Sequence, residues 1–396
     1  MSDLNELPFL DVYSHDFVND RVRVIQEART QSWVYRSQRG IEVLSYAPQL
    51  PLLRDRRLIQ DQVSMARDSG LAHPDVIRFR TEFLNSTMGK THARVRSTAA
   101  RYFGKTHVET MRPTIRGLID GLLDEASRDS AVDLLDLICD RVPALTYAYL
   151  VHAPVTDESF IARMSSSILR LAERNPSNQG LIESAYLELF DYTEQRFKAI
   201  EKEPGESLLS HLLASVKEGK LTRREAMDLS ILLLEASTDN TTHAMALVMS
   251  VLLENGAQWL EIRNNPTLIP QAVEEAIRIR PRFLVNERVG VEDFEWNGFD
   301  IPVGTRFVLS TLGANRDPEA YPNPDTFDIH REQPPMTTMF GGGMYVCMGM
   351  HLARVEIQEF VSALATRFPN VRPAGPAAWR MNEASTDSLG LEVVLA

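Results

Sequence analysis

Phe340-Gly-Gly-Gly-Met-Tyr-Val-Cys-Met-Gly349 runs without a break into Met350-His-Leu-Ala-Arg-Val-Glu-Ile-Gln-Glu-Phe-Val-Ser-Ala-Leu-Ala-Thr-Arg-Phe368. Three successive glycines free the backbone for positive φ and for close approach to another object. Behind them Ile357, Phe360, Val361 and Leu364 repeat at i, i+3, i+4, i+7, a spacing that predicts an amphipathic helix. Cys347 therefore stands where a tight loop enters a helix. The free amides and the positive end of the helix dipole at such a place favour thiolate over thiol. A thiolate there can bind a metal or attack an acyl group. Attack needs a base, and His351, one turn on, is the only local histidine.

The chain around this loop has 396 residues, 44% of them hydrophobic, enough to bury a large core. Length alone suggests two or three domains, but no Pro/Gly/Ser-rich linker or low-complexity run divides the chain, so one domain spanning residues 1–396 is expected. With 42 Lys+Arg against 54 Asp+Glu the net charge is −12, which argues against nucleic acid as a partner. Residues 1–20 hold five acidic side chains and no basic one, unlike a signal peptide, and charge interrupts every apolar cluster short of a membrane span. A cytoplasmic location with no membrane partner is expected. The two cysteines are too few for a disulfide framework, and Cys139, within the amphipathic stretch 132–142, reads as a small core residue.

The order Phe-Gly-x-Gly-x-x-x-Cys-x-Gly, followed by Ala353-x-x-Glu356, resembles the haem-ligand loop of the cytochrome P450 superfamily, the haem-thiolate monooxygenases. The resemblance implies a mainly α fold with a small β-region, haem b as cofactor, and Cys347 as the proximal iron ligand, tuned by backbone amides near its sulfur. One departure is visible. Two residues before the cysteine the family usually has His or Arg reaching a haem propionate, whereas Tyr345 offers one hydrogen bond and no charge.

Four further motifs fall in family order. His92 and Arg96, four apart on one helix face, read by themselves as a solvated basic face, and by resemblance as propionate ligands. Residues 223–255 predict one helix about 50 Å long, at 1.5 Å per residue, with apolar ends and a polar centre, Glu235-Ala-Ser-Thr-Asp-Asn-Thr-Thr-His243. Polar groups midway along a buried helix are costly unless something bonds to them, so this centre marks a site. On the family's distal pattern Ala236 matches, Ser237 replaces Gly, Asp239 matches the acid, Asn240 replaces the first Thr and Thr241 matches the second. By resemblance Asp239 relays protons from bulk and Asn240 positions water or dioxygen, with Thr241, Ser237 or a substrate hydroxyl as substitutes for the missing threonine; the plainer alternative is that Asp239 only pairs with a basic side chain. Glu275 and Arg278 match the structural Glu-x-x-Arg, with Arg331 as the third member, and Ala314–Pro318 matches the irregular region before the ligand loop. Along 281–289, Leu284 and Val285 are expected to face substrate and Arg288 a propionate, and Ser388–Leu391 to form a turn that brings Leu389 into a pocket also lined by Ala236 and Asn240.

Around these motifs the patterning predicts a helix over 18–30, strands over 32–35 and 41–46, and helices over 114–127, 133–150, 157–174, 179–202 and 206–218. Segments 57–88 and 157–202 take the place of the family's substrate cover. Arg101, Lys105, Arg112 and Arg116 form either a docking patch for an acidic redox partner or a solvated helix face. The function implied is monooxygenation by O2 of a hydrophobic natural product (terpenoid, steroid or polyketide), as hydroxylation or epoxidation. Lacking a flavin- or ferredoxin-like segment, the chain would take electrons from NAD(P)H through ferredoxin and ferredoxin reductase. Peroxide-driven oxygenation and a non-catalytic haem-binding or recruitment role are the alternatives.

Overall fold

The structure, a computed structural model, describes residues 4–126, 131–332 and 334–396. In chain order its helices are α1 (His15–Asn19), α2 (Arg21–Gln31), α3 (Tyr46–Arg54), α4 (Gln62–Asp68), α5 (Pro74–Glu82), α6 (Gly89–Phe103), α7 (Lys105–Asp124), α8 (Arg141–Val151), α9 (Glu158–Leu169), α10 (Gln179–Lys202) and α11 (Leu208–Lys217). Then come α12 (Arg223–Ser237), α13 (Asp239–Glu254), α14 (Gly256–Asn264), α15 (Ile269–Ile279), α16 (Thr311–Ala314) and α17 (Met350–Arg367). The strands are short: β1 (Val34–Arg36), β2 (Ile41–Val43), β3 (Leu58–Ile59), β4 (Ala131–Asp133), β5 (Val285–Gly290), β6 (Phe294–Trp296), β7 (Phe299–Ile301), β8 (Arg306–Ser310), β9 (Arg372–Pro373), β10 (Ala378–Met381), β11 (Thr386–Gly390) and β12 (Glu392–Val394). The fold is mainly α with a small β-region, as expected.

The centre is built from helices that are apolar on more than one face. From Ala244 to Leu253 every residue of α13 is buried, and α17 buries Ile357, Phe360, Val361 and Leu364 together. Each such aliphatic or aromatic side chain contributes about 1.5–3 kcal/mol by leaving water, so α13 and α17 go to the middle of the molecule. The one-sided stripe Val108, Met111, Ile115, Ile119 and Leu122 lays α7 against α17. The largest sheet has the order β1-β2-β8-β5-β3, with β2 parallel to β8. Its β5–β8 register sets Arg288 opposite Phe307.

Several boundaries differ from expectation. The stretch 18–30 is two helices, because Asp20 leaves helical geometry and accepts the Arg23 amide as a new N-cap. The helix expected at 114 starts at Lys105; residue 127, its expected last, lies outside the described residues. The stretch 133–150 opens with β4 and a π-turn over Leu135–Cys139 before α8 begins. The stretch 157–174 leaves α-helix after Leu169 and ends at Arg174, a left-handed residue (φ 50°). Cys139 is fully buried in the core, as expected.

Candidate functional site

The glycine loop is shaped by what it leans on. Gly343 has φ 61°, and a Cβ there would lie 2.6 Å from the Leu53 carbonyl oxygen and 2.8 Å from the Arg54 Cα, so only glycine lets the loop press against the end of α3. The Cys347 amide donates to the Phe340 carbonyl at 2.8 Å, closing the loop. The Gly349 and Met350 amides reach the Cys347 sulfur, as the position at a helix start demands. Burial is nevertheless the larger influence and raises the thiol pKa; the two amides, Arg96 and Arg354 only oppose it. The helix-start amides thus act toward thiolate, as expected, and burial outweighs them. Cys347 is solvent-accessible although crowded by protein. Among the described residues no three His, Cys, Asp or Glu gather into a metal site.

Three elements converge beside it on Tyr345. The His92 ring of α6 meets the phenol edge-on, centroids 5.3 Å apart, and the Arg288 guanidinium of β5 lies 5.3 Å from the same ring. Arg96 donates to the Val346 carbonyl. Arg288 Nη1 donates to the Glu287 carbonyl at 2.8 Å, while its buried Nη2 has no partner. Desolvation lowers the pKa of Arg288 to about 10 and also lowers those of Arg96 and His92. Among the described residues neither arginine has a carboxylate within ion-pair reach. Arg288, buried, and Arg96, half-buried, are cations in a condition that calls for an anion, and the propionates of haem b fit. Tyr345 does not act as expected: its hydroxyl donates to the Thr87 carbonyl at 2.8 Å, so its single hydrogen is spent on backbone and its contribution is the ring. Burial pushes its pKa up to about 12.

The expected 33-residue helix is broken. α12 ends at Ser237 and α13 begins at Asp239, with Thr238 at φ −93°, ψ −86° between them. Thr238 Oγ1 donates to the Leu234 carbonyl at 3.0 Å and Asn240 Nδ2 to the Ala236 carbonyl at 3.3 Å. Asn240 Oδ1 and Ser237 Oγ are buried without partners. Ala236 is exposed directly after a buried run from Ser230 to Glu235. Thr241 is buried, its amide bonded to the Thr238 carbonyl.

Asp239 Oδ2 accepts from Arg282 Nη2 at 3.1 Å and lies 3.6 Å from His243 Nε2; Arg282 also binds Asp387 and, at 3.0 Å, the Thr386 carbonyl. Asp239 therefore does pair with a basic side chain, and it also lines a cavity of about 380 Å³ together with Thr242, His243, Arg282, Asp387 and Leu389. Leu389 lies at its rim, half exposed, on strand β11; the turn is at Asn382–Ser385 instead. Leu284 and Val285 are corrected more fully. They pack with Leu10, Phe17, Ile25 and Leu44 of the N-terminal region, because Leu284 is tied by backbone bonds to Ala384 and Leu312 on that side.

Glu275, Arg278 and Arg331 come together as expected. Both carboxylate oxygens of Glu275 accept from Arg278 at 2.7 Å and from Arg331 Nε at 3.2 Å, and Arg278 reaches the Asn315 carbonyl at 2.9 Å, anchoring the 314–318 segment. Arg112 and Arg116 pair with Glu109, Asp120 and Glu359, so half of the basic stretch is neutralised internally. Sequence reasoning missed Arg80, Ser165, Tyr186 and the anchoring role of Glu235. The Glu235 carboxylate accepts from Arg80 at 2.5 Å and from Tyr186 at 2.9 Å, all three side chains being buried.

Glu356 is buried on α17, and burial raises its pKa from 4.5 to about 8. The folded chain then holds a proton that the unfolded chain releases, so this group makes stability fall as pH climbs from about 4.5 to about 8. Glu356→Gln is expected to melt higher than the parent at pH 8 and no higher at pH 4. Parallel melting curves across that range would contradict the assignment.

The family model for cytochrome P450 matches residues 257–376. Luteothin monooxygenase of Streptomyces thioluteus is 34% identical over 391 residues, 98% of this chain and 96% of that protein. Mycinamicin IV hydroxylase/epoxidase of Micromonospora griseorubida is 31% identical over 373 residues, 92% of this chain and 91% of that one. The solved structure of P450BioI in complex with an acyl carrier protein ligated to hexadec-9Z-enoic acid superposes with TM-score 0.88 at 24% identity, covering 96% of this chain and all of that one. Epothilone D-bound P450epoK superposes with TM-score 0.88 at 22% identity, covering 97% and 98%. At such identities these structures show the fold alone.

Proposed function

Because this chain belongs to the cytochrome P450 superfamily, as relatives at 34% and 31% identity over nearly its whole length show, we propose that Cys347 holds the iron of haem b through its sulfur. It is a monooxygenase of hydrophobic natural products, using O2 and electrons that originate in NAD(P)H and arrive through redox partners. Haem b, when bound, supplies the oxygen activation. The observation that carries the site assignment is the convergence of α6, β5 and the cysteine loop on Tyr345, with a buried Arg288 whose Nη2 has no partner and a half-buried Arg96 that meets no carboxylate. Arg96 and Arg288 hold the propionates by charge and His92 by hydrogen bonding. The Gly349 and Met350 amides temper the sulfur.

Asp239 and Asn240 handle protons on the distal side. Arg282 engages Asp239 Oδ2, which leaves Oδ1 to take a proton from the water of the 380 Å³ cavity. Asn240, its Nδ2 tied to Ala236, presents Oδ1 as an acceptor that holds a water O–H. Thr241, buried and tied to Thr238, is a supporting residue of this break. Ferredoxin and ferredoxin reductase are the partners, residues 1–396 act as one haem domain, and the substrate is a terpenoid, steroid or polyketide that is hydroxylated or epoxidised. The hydroxylase/epoxidase relative supports that pair of outcomes. Among the described residues no helix is long and apolar enough to cross a membrane.

Asp239→Asn is expected to slow product formation by about 10²-fold, the lower end for general acid–base catalysis. Asn240→Thr is expected to change the share of electrons ending in product rather than hydrogen peroxide. Both are read by quantifying product, peroxide and NAD(P)H in one reaction with a ferredoxin system. Unchanged partition in both variants removes the relay.

A further inference from the structure

We infer that Ser165 of α9 is the positioning residue that holds the distal helix open. This rests on the reading of Asp239 and Asn240 as the proton-handling pair. In an unbroken α-helix the Asp239 amide would donate to the Glu235 carbonyl, four residues back. Here Ser165 Oγ stands between them: it donates to the Glu235 carbonyl at 3.1 Å and accepts the Asp239 amide at 3.3 Å. A single fully buried hydroxyl thus satisfies both backbone groups that the break would otherwise strand.

Two other side-chain bonds to the backbone of the break are internal to it, Thr238 to Leu234 and Asn240 to Ala236. Ser165 reaches that backbone from another helix, α9, which belongs to the 157–202 cover. The same residue, Glu235, is gripped through its carboxylate by Arg80 of α5 and Tyr186 of α10. Three covering elements therefore meet on one residue at the start of the break. When the cover seats, the hydroxyl arrives and Asp239 and Asn240 take their places; when it lifts, the ladder bond from Asp239 to Glu235 is free to close and turn both side chains away. Ser165 couples occupancy of the covered pocket to assembly of the proton-handling pair.

Ser165→Ala removes the hydroxyl with almost no change of volume, and Ser165→Thr keeps it. In holoenzyme with bound substrate, a crystal structure of Ser165→Ala is expected to show the Asp239 amide on the Glu235 carbonyl, at about 3 Å. The fraction of electrons recovered as product is expected to drop about tenfold or more, the scale of an ångström-sized misplacement. The substrate dissociation constant, from the spin-state titration, is expected to stay within about twofold, and Ser165→Thr to restore the yield. A break that persists in the alanine variant overturns the inference whatever the yield. A closed ladder with unchanged yield overturns the positioning role provided Asp239→Asn lowers the yield. If Asp239→Asn is silent too, the relay reading fails, while the closed ladder still assigns the break to Ser165.

Discussion

Cys347→Ser is expected to give a folded protein with no useful monooxygenase activity, down by more than about a thousandfold, or roughly 4 kcal/mol in barrier. Thiolate ligation is what pushes electron density toward O–O cleavage, and a hydroxyl in the same loop is a harder, more weakly donating ligand. The loop itself should survive. Its shape comes from Gly343 against Leu53 and from the Cys347 amide on Phe340, and neither involves the sulfur. The checks are the carbonyl difference spectrum of the reduced protein, which should lose its thiolate form, and circular dichroism, which should not change. A variant that keeps a thiolate-type carbonyl spectrum would remove Cys347 from the iron.

The second large effect lies away from the chemistry. Glu275→Gln preserves shape but leaves Arg278 and Arg331 buried without their shared carboxylate. Removing one partner of a buried ion pair costs about 3–5 kcal/mol, a large part of a total stability of about 5–15 kcal/mol. The variant is expected to accumulate poorly and to melt far below the parent, with the haem-binding loop loosened because Arg278 also anchors Asn315. A melting temperature near the parent's would show that this triad does not brace the core.

What could be read from the sequence was what is local or strongly constrained. The cysteine loop, the Glu275–Arg278 pair at i, i+3, and the polar centre of the distal helix each lie within one turn or one loop, and each is where the pattern placed it. Arg331, 56 residues from Glu275, was reachable because it lies just ahead of the ligand loop. The Arg80–Glu235 pair, 155 residues apart, and the Ser165–Glu235 bridge, 70 apart, had no local signal. A buried arginine on a short helix looks like any charged surface residue until its partner is known. Polarity at residues 235–243 announced a site, but only packing against α9 reveals that the helix breaks there. Leu284 and Val285 were misplaced for the same reason: alternation along a strand fixes two faces, and which face meets the N-terminal region is decided by Leu10, Phe17, Ile25 and Leu44, 240 or more positions away. Tyr345 was assigned a propionate because its position suggested one, whereas a backbone acceptor, Thr87, lies nearer to hand.

The hairpin of β10 and β11 bears on how the molecule is made. Its tip is seized from both ends of the chain: Arg21 donates to the Asn382 carbonyl at 2.5 Å across 361 residues, Arg39 to Glu383 at 3.1 Å, and Leu284 to Ala384 at 2.8 Å. At ribosomal speeds of about 5–20 residues per second, Arg21 waits roughly 20–70 s for its partner. During that wait the cavity beside Asp239 lacks Asp387, Ser388 and Leu389 from its wall. The helical core can condense while the nascent chain is still being extended, but the proton-side pocket is finished only after release of its last strand from the exit tunnel.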